Sequence, residues 1–331
     1  MSGVDTRRRQ AEFRLPNLPA LLAGHDVLVT LTGLAVVASI VSPSFLTAGN
    51  IGSLLSQSAL LGILATAQFL VVVSGGFDLS VAAVMALSSL VFAAMIEYGA
   101  GSAALLAIGA GSLCGLFNGL VVAKGRVQPL IATLAMMGIA RGLALSISEK
   151  SILVTDPVVV ALRGVSGIIS VPTMMWIAVM VVGVIWFNTT RQAKHLYAVG
   201  GNEQTARLAG VPVDRVKIGV YTTSGLLSGL AGVALVIRTS SGVPLGGMGW
   251  ELDTIAAIVI GGTNLFGGEG RLLRAMMGVL IYQMIANVMN LSGIDPYYQD
   301  IVRATVIVAA VGYSMFRQRR AGQRILQRRQ P

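Results

Sequence analysis

Long apolar runs, separated by short stretches that hold most of the charged residues, make up the chain from about residue 26 to residue 316. A helix needs about 20 consecutive apolar residues to cross the hydrocarbon core of a bilayer, which is about 30 Å thick. The pattern therefore predicts an all-α polytopic membrane protein with about ten transmembrane helices. We place these spans at residues 26–43, 53–74, 79–97, 102–123, 129–148, 172–188, 216–237, 252–266, 272–291 and 299–316.

Small residues recur at every fourth position of the fourth predicted span. They are Ala103, Ala107, Gly111, Gly115 and Gly119. Residues spaced by four lie on one face of a helix, and small side chains there let another helix approach closely. The seventh predicted span repeats this spacing at Gly225 and Gly229. We interpret both faces as helix-packing surfaces.

Composition agrees with a membrane protein, because 54% of the 331 residues are hydrophobic, only 11% are charged and the mean hydropathy is +0.77. A soluble domain carries roughly a quarter of its residues as charges. This chain has less than half of that share. Most of its surface must therefore face something other than water.

The net charge of +10 comes from basic residues in the tails and in alternate connections between the apolar runs. Only Lys150, Arg163 and Arg238 fall in connections on the outer side if the N-terminus starts in the cytoplasm. This asymmetry follows the positive-inside rule and predicts that both termini are cytoplasmic. It explains the basic charge without nucleic-acid binding. The predicted divisions are a cytoplasmic N-terminal tail at 1–25, a transmembrane domain at 26–316 and a basic cytoplasmic C-terminal tail at 317–331.

Residues suited to catalysis are scarce and scattered. The two histidines, His25 and His195, lie in a tail and a loop, and the single cysteine, Cys114, lies in an apolar run. Neither the G-x-S-x-G nor the H-E-x-x-H pattern is present, and the sequence lacks the phosphate-binding G-x-x-x-x-G-K-[ST] pattern. We therefore predict no catalytic residues and no metal ligands. Transport is the remaining class, and sparse intramembrane charge favours a neutral solute and an external energy source.

The first informative segment is SGGFDLSVAAVMAL at Ser74–Leu87. Gly75 and Gly76 should break the second span. Asp78 or Ser80 should then cap the next helix by accepting hydrogen bonds from its free backbone N–H groups.

The second segment is VGGNEQTARLAGVPVDRVK at Val199–Lys217, within the long predicted cytoplasmic loop 189–215. Asn202 should cap a short helix at Glu203–Leu208, and Gly210 and Pro212 should end it. A short helix on the cytoplasmic face can dock a partner protein. The alternative is an amphipathic connector at the membrane surface.

The third segment is LDTIAAIVIGGTNLFGGEG at Leu252–Gly270. Two glycine pairs flank Thr263–Phe266 and predict a tight, non-helical turn on the inner side. The span after this turn contains Gln283, Asn287 and Asn290.

Together these segments resemble the ribose-type monosaccharide permeases of bacterial ABC importers. That family shows G-G-x-D-L-S, G-x-N-x-x-A-A-R-x-x-G-I and A-A-x-x-I-G-G-T-x-x-x-G-G-x-G in this order. The matching stretches here are Gly75–Ser80, Gly200–Val211 and Ala256–Gly270, and the resemblance extends over about 27–316, including Asn118–Leu145. Thr205 stands where the family usually has Ala, and Ala82 where Gly is commoner.

The resemblance implies a permease subunit of a binding-protein-dependent importer in the bacterial inner membrane, surrounded by membrane lipid. Its implied partners are an ABC ATP-binding subunit, a periplasmic sugar-binding protein and a second permease copy or paralogue, in a homo- or heterodimer. ATP and Mg would be bound by the ATP-binding subunit, and this chain would bind no cofactor. The solute would be a monosaccharide or related polyol.

The resemblance also implies that the loop 189–215 couples the spans to the ATPase. The residues expected to do so are Gly200, Asn202, Glu203, Ala206, Arg207 and Gly210. A neutral polyol needs hydrogen bonds rather than ion pairs, so polar side chains within the spans are the candidates for the substrate path. These candidates are Gln68, Asp78, Asn118, Gln283, Asn287 and Asn290. Each could equally be a polar contact between helices.

Two other functions stay open on the sequence. A branched-chain amino acid ABC permease is related, but a zwitterionic solute should require a charged site. An intramembrane enzyme belongs to a different class. A P-loop ATPase encoded beside this chain would exclude it.

Overall fold

The computed structural model describes residues 26–164, 169–295, 297–302, 304–306, 308–309 and 312. Nearly all of its regular structure is helical. The helices are α1 Asp26–Val41, α2 Ala48–Val73, α3 Val81–Ala94, α4 Ala100–Ala123, α5 Pro129–Ile147, α6 Pro157–Gly164, α7 Val171–Thr189, α8 Arg191–Gly201, α9 Glu203–Leu208, α10 Val213–Thr239, α11 Trp250–Ile260 and α12 Leu272–Leu291, with a short 3₁₀ helix at Ile96–Tyr98. Strands β1, Ile152–Leu153, and β2, Ser241–Gly242, pair antiparallel.

Six helices, α2, α4, α5, α7, α10 and α12, are long and apolar enough to cross a bilayer. Helices α1 and α3 are apolar but shorter. The chain is therefore an all-α polytopic membrane protein. Helical residues at 297–302, 304–306 and 308–309 fall in the last predicted span, 299–316, and the rest of that span lies outside the described residues, apart from residue 312.

The predicted span 252–266 is helical only as far as Ile260, where α11 ends after 11 residues, and Thr263–Phe266 is non-helical, as its flanking glycine pairs predicted. Gly261 packs so closely against α12 that an added Cβ would lie 2.5 Å from the Cα of Ala275. Gly262 then turns with φ +85°, which ordinary residues avoid. The predicted 79–97 span corresponds to α3, Val81–Ala94, followed by the 3₁₀ helix at Ile96–Tyr98.

Helix α2 lies at the centre of the fold, and every residue from Ser58 to Ser74 is buried. Helices α7, α10, α11 and α12 pack around it. By contrast, α5 and α7 expose apolar side chains such as Leu143, Val182 and Ile185. Exposed apolar faces of this kind suit contact with lipid tails.

Helices α4 and α10 pack backbone to backbone, as their small-residue spacing predicted. A Cβ on Gly115 would lie 2.9 Å from the backbone of Gly225, and a Cβ on Gly229 would lie 2.8 Å from the Cα of Ile108. Glycine is required at both positions because nothing larger fits between the helices.

One end of the bundle gathers the glycine-rich segments, and we call it the glycine end. One cavity at this end is lined by Ser74, Gly200, Arg207 and Phe266, among others, from four segments far apart in sequence. The opposite end carries the β1–β2 pair, in which Ile152 faces Gly242. The fold thus places all three sequence motifs at one end.

Candidate functional site

Three glycine-rich segments touch at the glycine end, and we call their contact the glycine junction: Gly75, Gly200, Gly267 and Gly268. The N–H of Gly268 donates to the carbonyl of Val73, at 3.0 Å, and so ties the turn after α11 to the end of α2. A Cβ on Gly200 would overlap that same carbonyl and lie 2.7 Å from the nitrogen of Gly268. A Cβ on Gly267 would lie 2.8 Å from the Cα of Gly75. The three backbones therefore meet only because these residues have no side chains.

Gly200 lies in α8, and α9 follows directly after it. The amide oxygen of Asn202 accepts a hydrogen bond from the N–H of Thr205, at 2.8 Å, which caps α9. The helix covers Glu203–Leu208, so its predicted bounds and its predicted cap are confirmed. The hydroxyl of Tyr197 in α8 donates to the carbonyl of Gly270, at 2.8 Å, and adds a second link to the turn after α11.

The end of α9 is a Schellman motif around Gly210, which has φ +82°. The N–H of Gly210 donates to the carbonyl of Arg207, at 3.1 Å, and the N–H of Val211 donates to the carbonyl of Ala206, at 3.0 Å. These bonds satisfy carbonyls that the helix end would otherwise leave free. Ala206 is buried against Val199 and Val213. The short helix is therefore fixed at both ends and on its inner face.

A network of ion pairs covers the outer face of α9. Glu203 pairs with Lys217, at 2.6 Å, and Arg207 pairs with Asp214, at 2.9 Å, and with Glu203, at 3.4 Å. Lys124 also pairs with Asp214, at 3.3 Å. The hydrogen bond from Lys217 lowers the pKa of Glu203, and the hydrogen bond from Arg207 lowers the pKa of Asp214. The network joins α9 to the start of α10 and the end of α4.

Two apolar side chains protrude from this end of the molecule. Leu208, the last residue of α9, is 90% exposed, and Phe266, in the turn after α11, is 62% exposed. The cavity between their segments has a volume of about 620 Å³. An exposed leucine on a rigid helix beside a polar cavity is suited to insertion into a groove of another protein.

Asp78 is buried where the chain passes from α2 to α3. Its carboxylate accepts hydrogen bonds from the hydroxyls of Ser80, at 2.5 Å, and Ser224, at 2.7 Å, and from the N–H of Ser80, at 3.0 Å. The amide of Asn118 donates to the Ser80 hydroxyl, at 3.0 Å. This network links the α2–α3 break to α4 and α10.

The predicted capping of α3 by Ser80 or Asp78 is wrong. Ser80 is the N-cap residue but makes no side-chain capping bond; its hydroxyl donates to Asp78 and accepts a hydrogen bond from the amide of Asn118 instead. Within the described residues, the only backbone N–H that donates to Asp78 is that of Ser80, which precedes the helix. The carboxylate of Asp78 links the α2–α3 connection to α10 instead of capping α3.

The other four substrate-path candidates lie in separate places. The amide of Gln68 is fully buried in α2, and neither its nitrogen nor its oxygen has a partner among the described residues. Asn287 pairs with Asn50 through two hydrogen bonds, of 3.0 and 2.8 Å. Asn290 accepts a bond from the amide of Gln299, at 2.9 Å, and Gln283 is half-buried on α12. The structure therefore unites only Asp78 and Asn118 in one network.

Sequence reasoning missed Ser224, Asn50 and Gln299, the partners of three candidates. Each lies far in sequence from the residue that it contacts, or beyond the span, so no local pattern marked it. Within the residues that the structure describes, no group of three or more His, Cys, Asp or Glu side chains could hold a metal ion.

The sequence profile of a family described as "Branched-chain amino acid transport system / permease component" matches residues 50–311. This match covers more than half of the chain. The chain therefore belongs to this family of transport permease components.

Individual proteins of similar sequence give a more specific comparison than the family profile. The chain is 40% identical over 300 residues to the ribose import permease protein of Escherichia coli K12, covering 88% of this chain and 94% of the relative. It is 38% identical over 326 residues to the L-arabinose transport system permease protein of the same strain, covering 96% and 98%. It is also 38% identical over 291 residues to the L-arabinose ABC transporter permease protein of Azospirillum brasilense, covering 86% and 85%. No solved structure matches the chain.

Proposed function

We propose that this chain is the membrane-spanning permease subunit of an ABC importer for a monosaccharide or related polyol. The observation that carries the proposal is the direct backbone contact between the segment ahead of α9 and the two helix breaks at the glycine junction. Relatives that cover most of the chain are named ribose and L-arabinose permeases, and one of these names includes the ABC transporter class.

The coupling residues act together in this proposal. An ATP-binding subunit receives α9 in a groove, with Leu208 inserted and Arg207 and Glu203 at the rim. Movement of α9 passes through Asn202 to Gly200 and then by direct contact to the end of α2 and the turn after α11. Ala206 and Gly210 keep α9 attached while it moves. A rigid-body shift of this kind can open one side of a solute path and close the other.

The glycine end is cytoplasmic in this arrangement. It carries basic residues such as Lys124, Arg207 and Lys217, in agreement with the positive-inside rule. We infer ten membrane-crossing segments and place both termini in the cytoplasm. Helix α11 is too short to cross by itself, so its segment crosses together with the turn that follows it. The permease domain is 26–316, with its coupling loop at 189–215, between cytoplasmic tails at 1–25 and 317–331.

Three kinds of partner protein complete the importer. An ABC ATP-binding subunit, which holds ATP and Mg, docks at the glycine end, and a periplasmic sugar-binding protein delivers solute to the opposite end. A second permease copy or paralogue completes the complex. The chain itself holds no cofactor. The complex resides in the bacterial inner membrane.

A sugar fits the spans better than an amino acid, although the family description names branched-chain amino acids. Most of the candidate path residues are neutral amides: Gln68, Asn118, Gln283, Asn287 and Asn290. Asp78 already accepts three hydrogen bonds from hydroxyl and N–H donors, so it contributes structure more readily than a charge for an ammonium group. Gln68 has free hydrogen-bonding capacity for a hydroxyl group.

The test is ATPase activity in nanodiscs that hold this chain with the ATP-binding subunit encoded beside it. The assay runs with and without the neighbouring binding protein, across a panel of pentoses, hexoses, polyols and leucine. We expect stimulation only when the binding protein and one sugar are both present. Stimulation by leucine alone would establish the amino acid alternative, and no co-purifying ATPase would overturn the proposal.

A further inference from the structure

A long groove runs between α7 and α10 on the outside of the bundle, with a volume of about 820 Å³. Its floor is formed by Leu70 of α2 and by Leu227 of α10, and its walls include the exposed Val182 of α7. The proposed coupling and transport roles use none of these side chains. The groove is therefore a separate feature of the lipid-exposed surface.

The groove has the length of one bilayer leaflet. Its α7 wall extends from Met175 to Phe187, which is about 18 Å at a rise of about 1.5 Å per residue. One leaflet contributes about 15 Å to the hydrocarbon core. Small residues open the groove, because a Cβ on Gly219 would meet nothing within 4 Å. An acyl chain can therefore lie along it.

The hydroxyls of Thr66 and Thr223 line the groove, and each donates to a carbonyl of its own helix, at 2.8 Å. The other polar side chains of the lining lie at the glycine end: Gln192 and His195 of α8 and Arg215 of α10, with Trp186 beside them. None of these three polar side chains makes an ion pair or side-chain hydrogen bond within the described part of the chain. Tryptophan is enriched at the level of lipid headgroups, and basic side chains at the cytoplasmic ends of membrane helices attract anionic headgroups.

We propose that this groove is a binding site for one anionic phospholipid of the cytoplasmic leaflet. The phosphate lies against Arg215, with His195 and Gln192 as hydrogen-bond partners, and one acyl chain fills the channel between Val182 and Leu227. Separation of polar and apolar lining along one axis matches the two parts of a phospholipid. The assignment of the leaflet rests on the proposed orientation, while the binding itself does not.

The experiment uses the full-length protein in nanodiscs of equal parts phosphatidylglycerol and phosphatidylcholine, with a photoactivatable diazirine on the acyl chain of one lipid at a time. Crosslinked peptides are identified by mass spectrometry. We expect phosphatidylglycerol to label α7 and α10 at the groove more strongly than phosphatidylcholine does. Absence of groove labelling would mean that protein covers it, either a second copy of the chain or its first 25 residues, and would overturn the proposal.

Two variants with matched controls test the site itself. Gly219→Leu fills the groove and should abolish groove labelling, whereas Gly138→Leu adds the same side chain to the exposed face of α5, where a Cβ also meets nothing within 4 Å. Arg215→Gln should reduce the preference for phosphatidylglycerol by about five-fold, the factor expected for one cation near an anionic headgroup, and Arg191→Gln, outside the groove, should not. Equal effects of a variant and its control would refute the site.

Discussion

The glycine junction and the ion-pair network lie at the same end of the molecule, but they join its segments through different kinds of contact. At the junction, backbones touch, and a Cβ on Gly200 would overlap the carbonyl of Val73. In the network, long exposed side chains such as Arg207 and Lys124 pair directly with carboxylates at the protein surface. Closely packed backbones pass a displacement from one segment to the next. An exposed ion pair contributes only about 0–1 kcal/mol to stability and holds its two segments weakly. We expect the junction to carry the coupling and the network to orient α9.

The largest expected effect comes from Gly200→Ala. The added methyl group forces the three backbones apart, at a cost of about 1–3 kcal/mol for an overpacked site. We expect sugar-stimulated ATPase activity to fall by more than about ten-fold, since about 1.4 kcal/mol corresponds to a factor of ten. The measurement is ATPase activity in nanodiscs with the partner proteins.

The neighbouring Gly201→Ala is the matched control for this variant, because a Cβ there meets nothing within 4 Å. It adds the same methyl group one residue along the same helix and should retain activity. If both variants behave alike, contact at the junction does not carry the coupling.

The next effect concerns the protruding Leu208, which is 90% exposed and contributes little to folding. Leu208→Glu should prevent co-purification of the ATP-binding subunit while leaving the thermal unfolding temperature of the isolated permease unchanged. A buried apolar anchor in an interface contributes about 2 kcal/mol or more to binding. Normal co-purification of the ATP-binding subunit with this variant would show that α9 is a connector and not a docking helix.

A smaller effect is expected from the cap of α9. Asn202→Ala removes the acceptor for the N–H of Thr205 and should cost about 1 kcal/mol of local helix stability. Coupled ATPase activity should fall about two- to five-fold, because α9 is then unfolded part of the time. Asn202→Asp keeps a capping oxygen and should restore activity, and its failure to do so would separate activity from the cap.

The smallest effect is expected from the ion pairs. Glu203→Gln and Asp214→Asn should each change activity at neutral pH by less than about two-fold. Because the folded protein holds the pKa values of both carboxyl groups below their usual values, the network is present above the unfolded-state values of about 4 and is lost as pH falls through the folded values. Activity of the wild type measured from pH 8 to pH 5 should therefore show no step from this network. A step that disappears in Glu203→Gln would contradict this prediction.

Local signals explain what could be predicted from the sequence. Helix α9 has an Asn cap at one end and Gly210 with Pro212 at the other, so its bounds were correct to the residue. The spacing of Gly111, Gly115 and Gly119 also marked a real packing face. Both features are encoded within about ten neighbouring residues.

Long-range contacts explain what could not be predicted. The glycine pairs at Gly75 and Gly267 were recognised as a helix break and part of a turn, but nothing near Gly75, Gly200 or Gly267 indicates that the three meet. Hydropathy extended the eighth span to residue 266, although the glycine pairs predicted a turn at Thr263–Phe266, because hydropathy registers apolar side chains and not the close approach of Gly261 to α12. Asp78 or Ser80 was expected to cap a helix, and only the folded positions of Asn118 and Ser224 show that both side chains bond across helices instead.

Helix α10 is 27 residues long, which corresponds to about 40 Å, more than the thickness of the hydrocarbon core. Its first turn carries Asp214, in the ion-pair network, and the strand pair with Ile152 follows its last residue at the other end. Between them, Gly225 and Gly229 leave its face toward α4 without side chains. A helix of this length reaches both membrane surfaces, so an axial shift that starts at the ion-pair network would also move the strand pair at the opposite surface.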